Sequence, residues 1–238
     1  MNYKYVKTVK DDEIFGKILS ANFIPYKFCD YNCVYCGLGP TTNKIIERKE
    51  FYPPNEVFTE IEDYFSQNNS VDYIWLTGIG EPTLYSHFKD LLNLIHKGFP
   101  NLKVGLDTNG ALFVNEEIRK DFLDCDLILI SFSSVFQQEF ESICRPYEGL
   151  KIEEIMKGIK LFRQEFKNKF GIITIFIDGI NDNEHSANDL KEYLAKLNLD
   201  YLFLQNYACK GYKPLNSDFK EYLHKLYEDV PYQVIYKF

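Results

Sequence analysis

Cys29-Asp30-Tyr31-Asn32-Cys33-Val34-Tyr35-Cys36, set directly behind the apolar run Ile18 to Ile24, decides how the rest of the chain is read. Three thiols at C-x3-C-x2-C spacing, with Gly37 and Gly39 behind them, converge on one point and read as metal ligands. A structural zinc site takes four ligands and closes its shell. A [4Fe–4S] cube on four cysteines is closed too, and moves electrons. Only three cysteines are local here, so a cube would keep one iron without a cysteine, and that iron is where chemistry can happen. A zinc or electron-transfer site would need a fourth ligand from elsewhere in the chain.

Working outward, Ile18 to Ile24 has the length of a strand, and Pro25 ends it because proline has no N–H for a sheet ladder. The cysteine loop therefore sits at a strand's C-terminal end. Further strands are expected at Val71–Leu76, Leu102–Asp107, Leu127–Phe132, Ile172–Ile177 and Tyr201–Gln205, with a weakly alternating terminal candidate at Tyr232–Tyr236. Between them, apolar residues recur at helical spacing over about Asn55 to Gln67 (with Asn55 as its cap and Asn68-Asn69-Ser70 as its stop), Tyr85–Lys97, Asn115–Leu123, Val135–Ser142, Ile152–Phe166, Glu184–Leu197 and Asp218–Glu228. Residues up to Gly16 are polar, lack a period and read as an extension capping the fold. Regular strand–helix alternation implies a parallel sheet. Six such units suggest an incomplete barrel, a partial (βα)6 arrangement with a mostly parallel sheet and helices outside. The expectation is one domain over residues 1–238, with its core at about 18–205 and a C-terminal helix and possible strand beyond. Ligands of such sheets bind at the strand C-terminal ends.

Two more motifs fall at those ends. Thr77-Gly78-Ile79-Gly80-Glu81-Pro82 follows the second strand. Glycine lets backbone approach a ligand closely, and its carbonyls or the Glu81 carboxylate can accept from an ammonium group; the same residues also make an ordinary β–α turn. Leu106-Asp107-Thr108-Asn109-Gly110 closes the third strand, offering Asp107, Thr108 and Asn109 as oxygen ligands or hydrogen-bonding groups, although Asn-Gly is also a common turn. Ser131 and Ser133 end the fourth strand, Asn181 follows the fifth, and Gln205-Asn206 close the sixth. Arg145 reads either as a ligand for a carboxylate or as half of a surface ion pair.

The cysteine spacing, with Tyr35 just before the third cysteine, resembles the cluster loop of the radical S-adenosylmethionine (SAM) superfamily. Ile79-Gly80-Glu81 is similar to that family's glycine–glutamate motif beside the SAM amino group, with Ile79 where many members have glycine. Cys36-Gly37-Leu38-Gly39, Thr41-Thr42-Asn43, Gly80-Glu81-Pro82-Thr83-Leu84 and Arg145-Pro146 resemble a branch of iron–sulfur oxidoreductases related to wyosine-base enzymes. Wyosine synthases of that branch carry a second cluster on cysteines ahead of the SAM loop, and no cysteine precedes Cys29 here. The resemblance implies that Cys29, Cys33 and Cys36 hold a [4Fe–4S] cluster and that Tyr35, Gly80, Glu81, Thr108, Asn109, Ser131 and Arg145 contact SAM. It implies that SAM is split to methionine and a 5′-deoxyadenosyl radical, which takes hydrogen from a substrate: a transfer-RNA base, a peptide or protein, or a small metabolite. A flavodoxin- or ferredoxin-like protein would supply the electron. The rival reading is a non-catalytic electron-transfer or zinc module.

A net charge of −8 disfavours a general nucleic-acid binder, which shows a basic surface, so transfer RNA is possible but not favoured. The N-terminus lacks the apolar stretch of a signal peptide and no apolar run spans a bilayer, so a cytoplasmic protein is expected. Six cysteines, half in one loop, are not a disulfide framework. Cys125, at the far end of its strand, reads as a buried structural thiol; Cys144 and Cys209, on the site side, read as scattered thiols, or as substrate-handling thiols or extra ligands. His87, His96, His185 and His224 show no ligand spacing. Lys44, Arg48 and Lys49 read as a solvated loop, or as a basic lip for an anionic substrate.

Overall fold

The computed structural model describes residues 3–67, 70–77, 79–208 and 211–238. Gly78, Cys209 and the expected helix stop at Asn68-Asn69 lie outside them. The strands are β1 Val6–Asp12, β2 Gly16–Asn22, β3 Phe28–Cys29, β4 Asn43–Lys44, β5 Tyr73–Thr77, β6 Lys103–Thr108, β7 Leu127–Ser131, β8 Lys169–Phe176, β9 Tyr201–Asn206 and β10 Gln233–Lys237. The helices are α1 Pro54–Ser66, α2 Phe88–Gly98, α3 Glu116–Phe122, α4 Gln137–Cys144, α5 Ile152–Glu165, α6 Glu184–Leu194 and α7 Ser217–Leu226. Eight strands form one open sheet in the order β1-β2-β5-β6-β7-β8-β9-β10, parallel throughout except at β1–β2. The six expected strands are its centre, β2 to β9, and the terminal candidate is β10, paired parallel to β9. No helix is long and apolar enough to cross a membrane among the described residues.

The polar segment before Gly16 is not an irregular cap. It is an edge strand, β1, hydrogen-bonded antiparallel to β2. Of its side chains only Val6 is buried, so the strand carries no apolar alternation to read. Its turn is fixed by the Asp12 carboxylate, which accepts from the N–H groups of Ile14 (3.0 Å) and Phe15 (3.1 Å). Two helix starts also move. Pro54 opens α1 and Pro53 occupies the cap position, in place of Asn55. A 3₁₀ turn over Pro82–Leu84, capped by Glu81, delays α2 to Phe88. Elsewhere asparagine caps hold: Asn115 accepts from Glu117 N (2.9 Å), Asn183 from Ser186 N (3.0 Å) and Asn216 from Phe219 N (2.7 Å).

Successive strand residues point to opposite faces. One face, with Ile74, Leu76, Val104 and Leu106, packs under the helices through Val57, Ile61, Leu91 and Ile95. The other face is graded along its length. At the N-terminal end Phe15, Ile18, Trp75, Leu127, Leu129 and Phe203 pack on one another as an apolar floor. Gly105 makes room there: a Cβ would lie 2.4 Å from the Trp75 indole. Toward the C-terminal ends the same face carries Thr77, Asp107 and Ser131, which line a cavity. Trp75 joins the two levels, its Nε1–H donating to Asp107 Oδ2 at 2.8 Å.

Candidate active site

The cysteine loop leaves the end of β2 and is docked rather than free. β3, which ends in Cys29, pairs with β4. Lys27 N donates to Ile79 O (2.6 Å) and Glu81 N to Phe28 O (2.8 Å), so the first two strand-end loops are laced together. Gly80 sits at their closest approach, where a Cβ would fall 2.2 Å from Phe28 O. On the other side Asn32 N and Val34 N donate to Cys144 O and Ile143 O, both 2.9 Å, at the end of α4.

Glu81 is 4% exposed, and its carboxylate is filled by the chain itself. It accepts from Thr83 N (3.0 Å), Thr83 Oγ1 (2.8 Å), Thr108 Oγ1 (2.5 Å) and Asn109 N (3.0 Å). Asn109 Nδ2 in turn donates to Asp30 Oδ1 at 2.6 Å. The side chains of Glu81, Thr108 and Asn109 thus brace the three strand-end loops against each other. Burial raises both Asp30 and Glu81 above the ordinary carboxylate range, and for Asp30 the Glu81 charge adds to it. Asp107 is pushed up to about 6 by burial, against the hydrogen bond from Trp75. Asp30 Oδ2 and Asp107 Oδ1 are buried without a hydrogen-bond partner.

Cys29, Cys33, Tyr35, Gly80, Glu81, Thr108, Asn109 and Ser131 all line one cavity at the strand C-terminal ends. The fold brings them together from four separate stretches of sequence. Cys36 closes the loop, its N–H bonded to Cys33 O at 3.2 Å. Arg145 is not brought in: it is exposed, in the left-handed region at φ 45°, at the C-terminus of α4. Ser133 and Asn181 are buried braces: Ser133 Oγ accepts from Ile175 N (3.0 Å) and Asn181 Nδ2 donates to Ser133 O (2.8 Å). Asn206 ties the end of β9, its Oδ1 accepting from Leu215 N at 3.2 Å, while Gln205 shares the inner face with Phe203. Arg48 forms no basic lip; it pairs with Asp121 at 2.7 Å and donates to Tyr85 O at 2.6 Å.

The thiols suit a metal group. The Cys29 thiol is raised well above its ordinary value, by burial first and then by the Asp30 charge. Cys33 is raised by a hydrogen bond with Cys144 and by burial. Such thiols become thiolates when a cation replaces the proton. Lys27 is 3% exposed, and its ammonium lies 3.1 Å from Cys36 Sγ. The donor set, three sulfurs on eight residues with a cation beside one of them, fits an iron–sulfur cluster. Among the described residues no three His, Cys, Asp or Glu side chains meet at the spacing of a single ion. Cys144 is buried behind the loop, hydrogen-bonded with Cys33, in a pocket with Phe140, Ile143 and Ile152 that shares Tyr31 and Ser131 with the site cavity. Cys125 is fully buried. The histidines lie apart, each beside its own acidic or aromatic neighbour. Lys27 and Asp30 went unread in the sequence; a lysine two residues before the first cysteine and an acid directly after it were the available signals.

Comparison with known proteins places this geometry. A model described as Radical SAM superfamily matches residues 23–193. The UPF0026 protein MJ1312 of Methanocaldococcus jannaschii is 34% identical over 191 residues, 79% of this chain and 59% of that protein. The chain therefore spans about three fifths of that relative's length. A radical SAM methyltransferase from Sphaerobacter thermophilus superposes with a TM-score of 0.69 at 15% identity, over 92% of this chain and 66% of that one. SuiB of Streptococcus suis, solved bound to S-adenosylmethionine, gives 0.63 at 18% identity, over 92% and 51%. At those identities the likeness is one of fold.

Proposed function

This chain belongs to the radical SAM superfamily, and from that premise we propose that it is an enzyme that holds a [4Fe–4S] cluster on Cys29, Cys33 and Cys36 and cleaves SAM at the mouth of its sheet. Bound there, the cluster would supply one electron to the sulfonium of SAM, releasing methionine and a 5′-deoxyadenosyl radical that abstracts hydrogen from a substrate. The observation that carries the reading is the cavity shared by Cys29 and Cys33 with Gly80 and Ser131. It would put two of the cluster's ligands beside a glycine backbone and a hydroxyl suited to the polar head of SAM.

The chain's own residues divide the labour. Gly80 lets the second loop close on the first. Glu81, its carboxylate filled, acts by position: it holds Thr108, Asn109 and its own loop in register instead of meeting the ligand's ammonium group with its side chain. Tyr35 and Ser131 offer a ring and a hydroxyl to the cavity. The apolar floor beneath excludes water from the radical's side of the sheet. The electron would come from a flavodoxin- or ferredoxin-like donor. The substrate remains a choice among a small metabolite, a peptide or protein, and a transfer-RNA base, the last disfavoured by the net charge of −8.

Anaerobic reconstitution with iron and sulfide should give a [4Fe–4S] spectrum. SAM should then perturb the electron paramagnetic resonance of the reduced cluster, and dithionite should release 5′-deoxyadenosine. A fully loaded cluster that ignores SAM would overturn the reading.

A further inference from the structure

Lys27 stands two residues ahead of Cys29, in the left-handed region at φ 59°, where few residues other than glycine sit. It is held there from both sides. Its N–H donates to Ile79 O at 2.6 Å, and its carbonyl accepts from Asn43 N at 3.1 Å. The side chain is carried inward until the residue is 3% exposed. A buried ammonium is costly unless it is paired. Among the described residues no carboxylate lies within ion-pair distance of Lys27 Nζ, and its one hydrogen-bond acceptor is Cys36 Sγ at 3.1 Å. On the opposite flank Cys29 lies beside the buried Asp30, its Sγ 3.8 Å from Asp30 Oδ1.

We propose that Lys27 is a positioning residue for the cluster: its ammonium hydrogen-bonds the Cys36 thiolate, fixes that ligand's orientation and raises the reduction potential. The proposal rests on the cluster assignment above and needs nothing of SAM. Reduction potentials of iron–sulfur centres follow net charge and hydrogen bonds to the sulfurs. Adding one electron makes the centre more negative, so a neighbouring cation stabilises the reduced form more than the oxidised one.

The test is a potentiometric titration, without SAM, of holo wild type, Lys27→Met and Lys27→Arg, following the resonance of the reduced cluster. Loss of the cation should lower the equilibrium constant for one-electron reduction at least about tenfold, a midpoint about 59 mV more negative. Lys27→Arg should stay within about threefold of wild type, because it keeps charge and donor. A fully loaded Lys27→Met with the wild-type midpoint overturns the proposal. If Lys27→Met loads no cluster, Lys27→Gln, which keeps an N–H donor and drops the charge, is titrated in its place under the same criterion. Neutral variants that fold but load nothing, beside a loaded Lys27→Arg, support the positioning role. Failure of Lys27→Arg together with both neutral variants would make the lysine a folding element and overturn it. A wild type whose cluster loads but ignores SAM sinks the enzyme reading and leaves this titration standing.

Discussion

The two ends of the sheet's inner face are built from opposite materials. At the N-terminal end Phe15, Ile18, Trp75, Leu127, Leu129 and Phe203 fill the space with apolar side chains. At the C-terminal end the same strands carry Thr77, Asp107 and Ser131, and the loops above them bury two further acids, Asp30 and Glu81. Burying an apolar ring stabilises by about 1.5–3 kcal/mol, whereas burying an acid costs free energy unless donors surround it. Glu81 has four such donors, but Asp30 and Asp107 each keep one oxygen unpartnered. One end therefore secures the fold, and the other spends part of that stability on a polar site.

Substitutions should separate the two ends. The largest effect is expected at the mouth and in activity alone. Cys33→Ala should abolish cluster loading and 5′-deoxyadenosine release, while urea unfolding of the apo-protein stays within about 1 kcal/mol of wild type. A collapse of apo stability would make the loop part of the core and erase the contrast. At the floor the order reverses. Phe203 is 4% exposed among aromatic neighbours, and Phe203→Ala should cost about 3–5 kcal/mol by lost burial and the cavity left behind. Its folded fraction should still give a wild-type cluster spectrum; an altered spectrum would show that floor and mouth are mechanically coupled.

What could be read in advance follows the same division. The central strands announced themselves because a strand buried on both faces is a continuous apolar run, as at Leu127 to Ile130. The cysteine loop was legible as a candidate site because its three thiols are neighbours in sequence. β1 was not, since an edge strand with five exposed side chains has no pattern to show. Glu81 was read as a ligand contact, yet its donors come from Thr83, Thr108 and Asn109, a closure that exists only once two strand ends meet. Lys27 was illegible for the same reason: its burial depends on Ile79 and Asn43, each supplied by another loop. Arg145 was open either as a ligand for a carboxylate or as half of a surface ion pair, and the end of α4 leaves it exposed.

Asp107 lies where the two ends meet, and it gives the finest test of the contrast. Its carboxyl is raised from 3.8 to about 6 by burial, so the native state binds that proton more tightly than the unfolded chain does. The associated stability is fully present below about pH 4 and is lost as pH rises through about 6. By pH 7 the ionised carboxylate should destabilise the fold by on the order of 2 kcal/mol, after discounting for the open mouth. Asp107→Asn keeps an oxygen to accept from Trp75 Nε1 and removes the charge. Urea unfolding between pH 4.5 and 7.5 should show the variant more stable than wild type at pH 7, with the gap closing toward pH 4.5. Asp30 and Glu81 add slopes of the same sign to both proteins, and because the Glu81 charge also raises Asp107, the difference between the two curves reports Asp107 together with that coupling. Parallel curves would mean that this carboxylate is solvated as well as any surface acid, and that the polar mouth reaches down to the indole of Trp75.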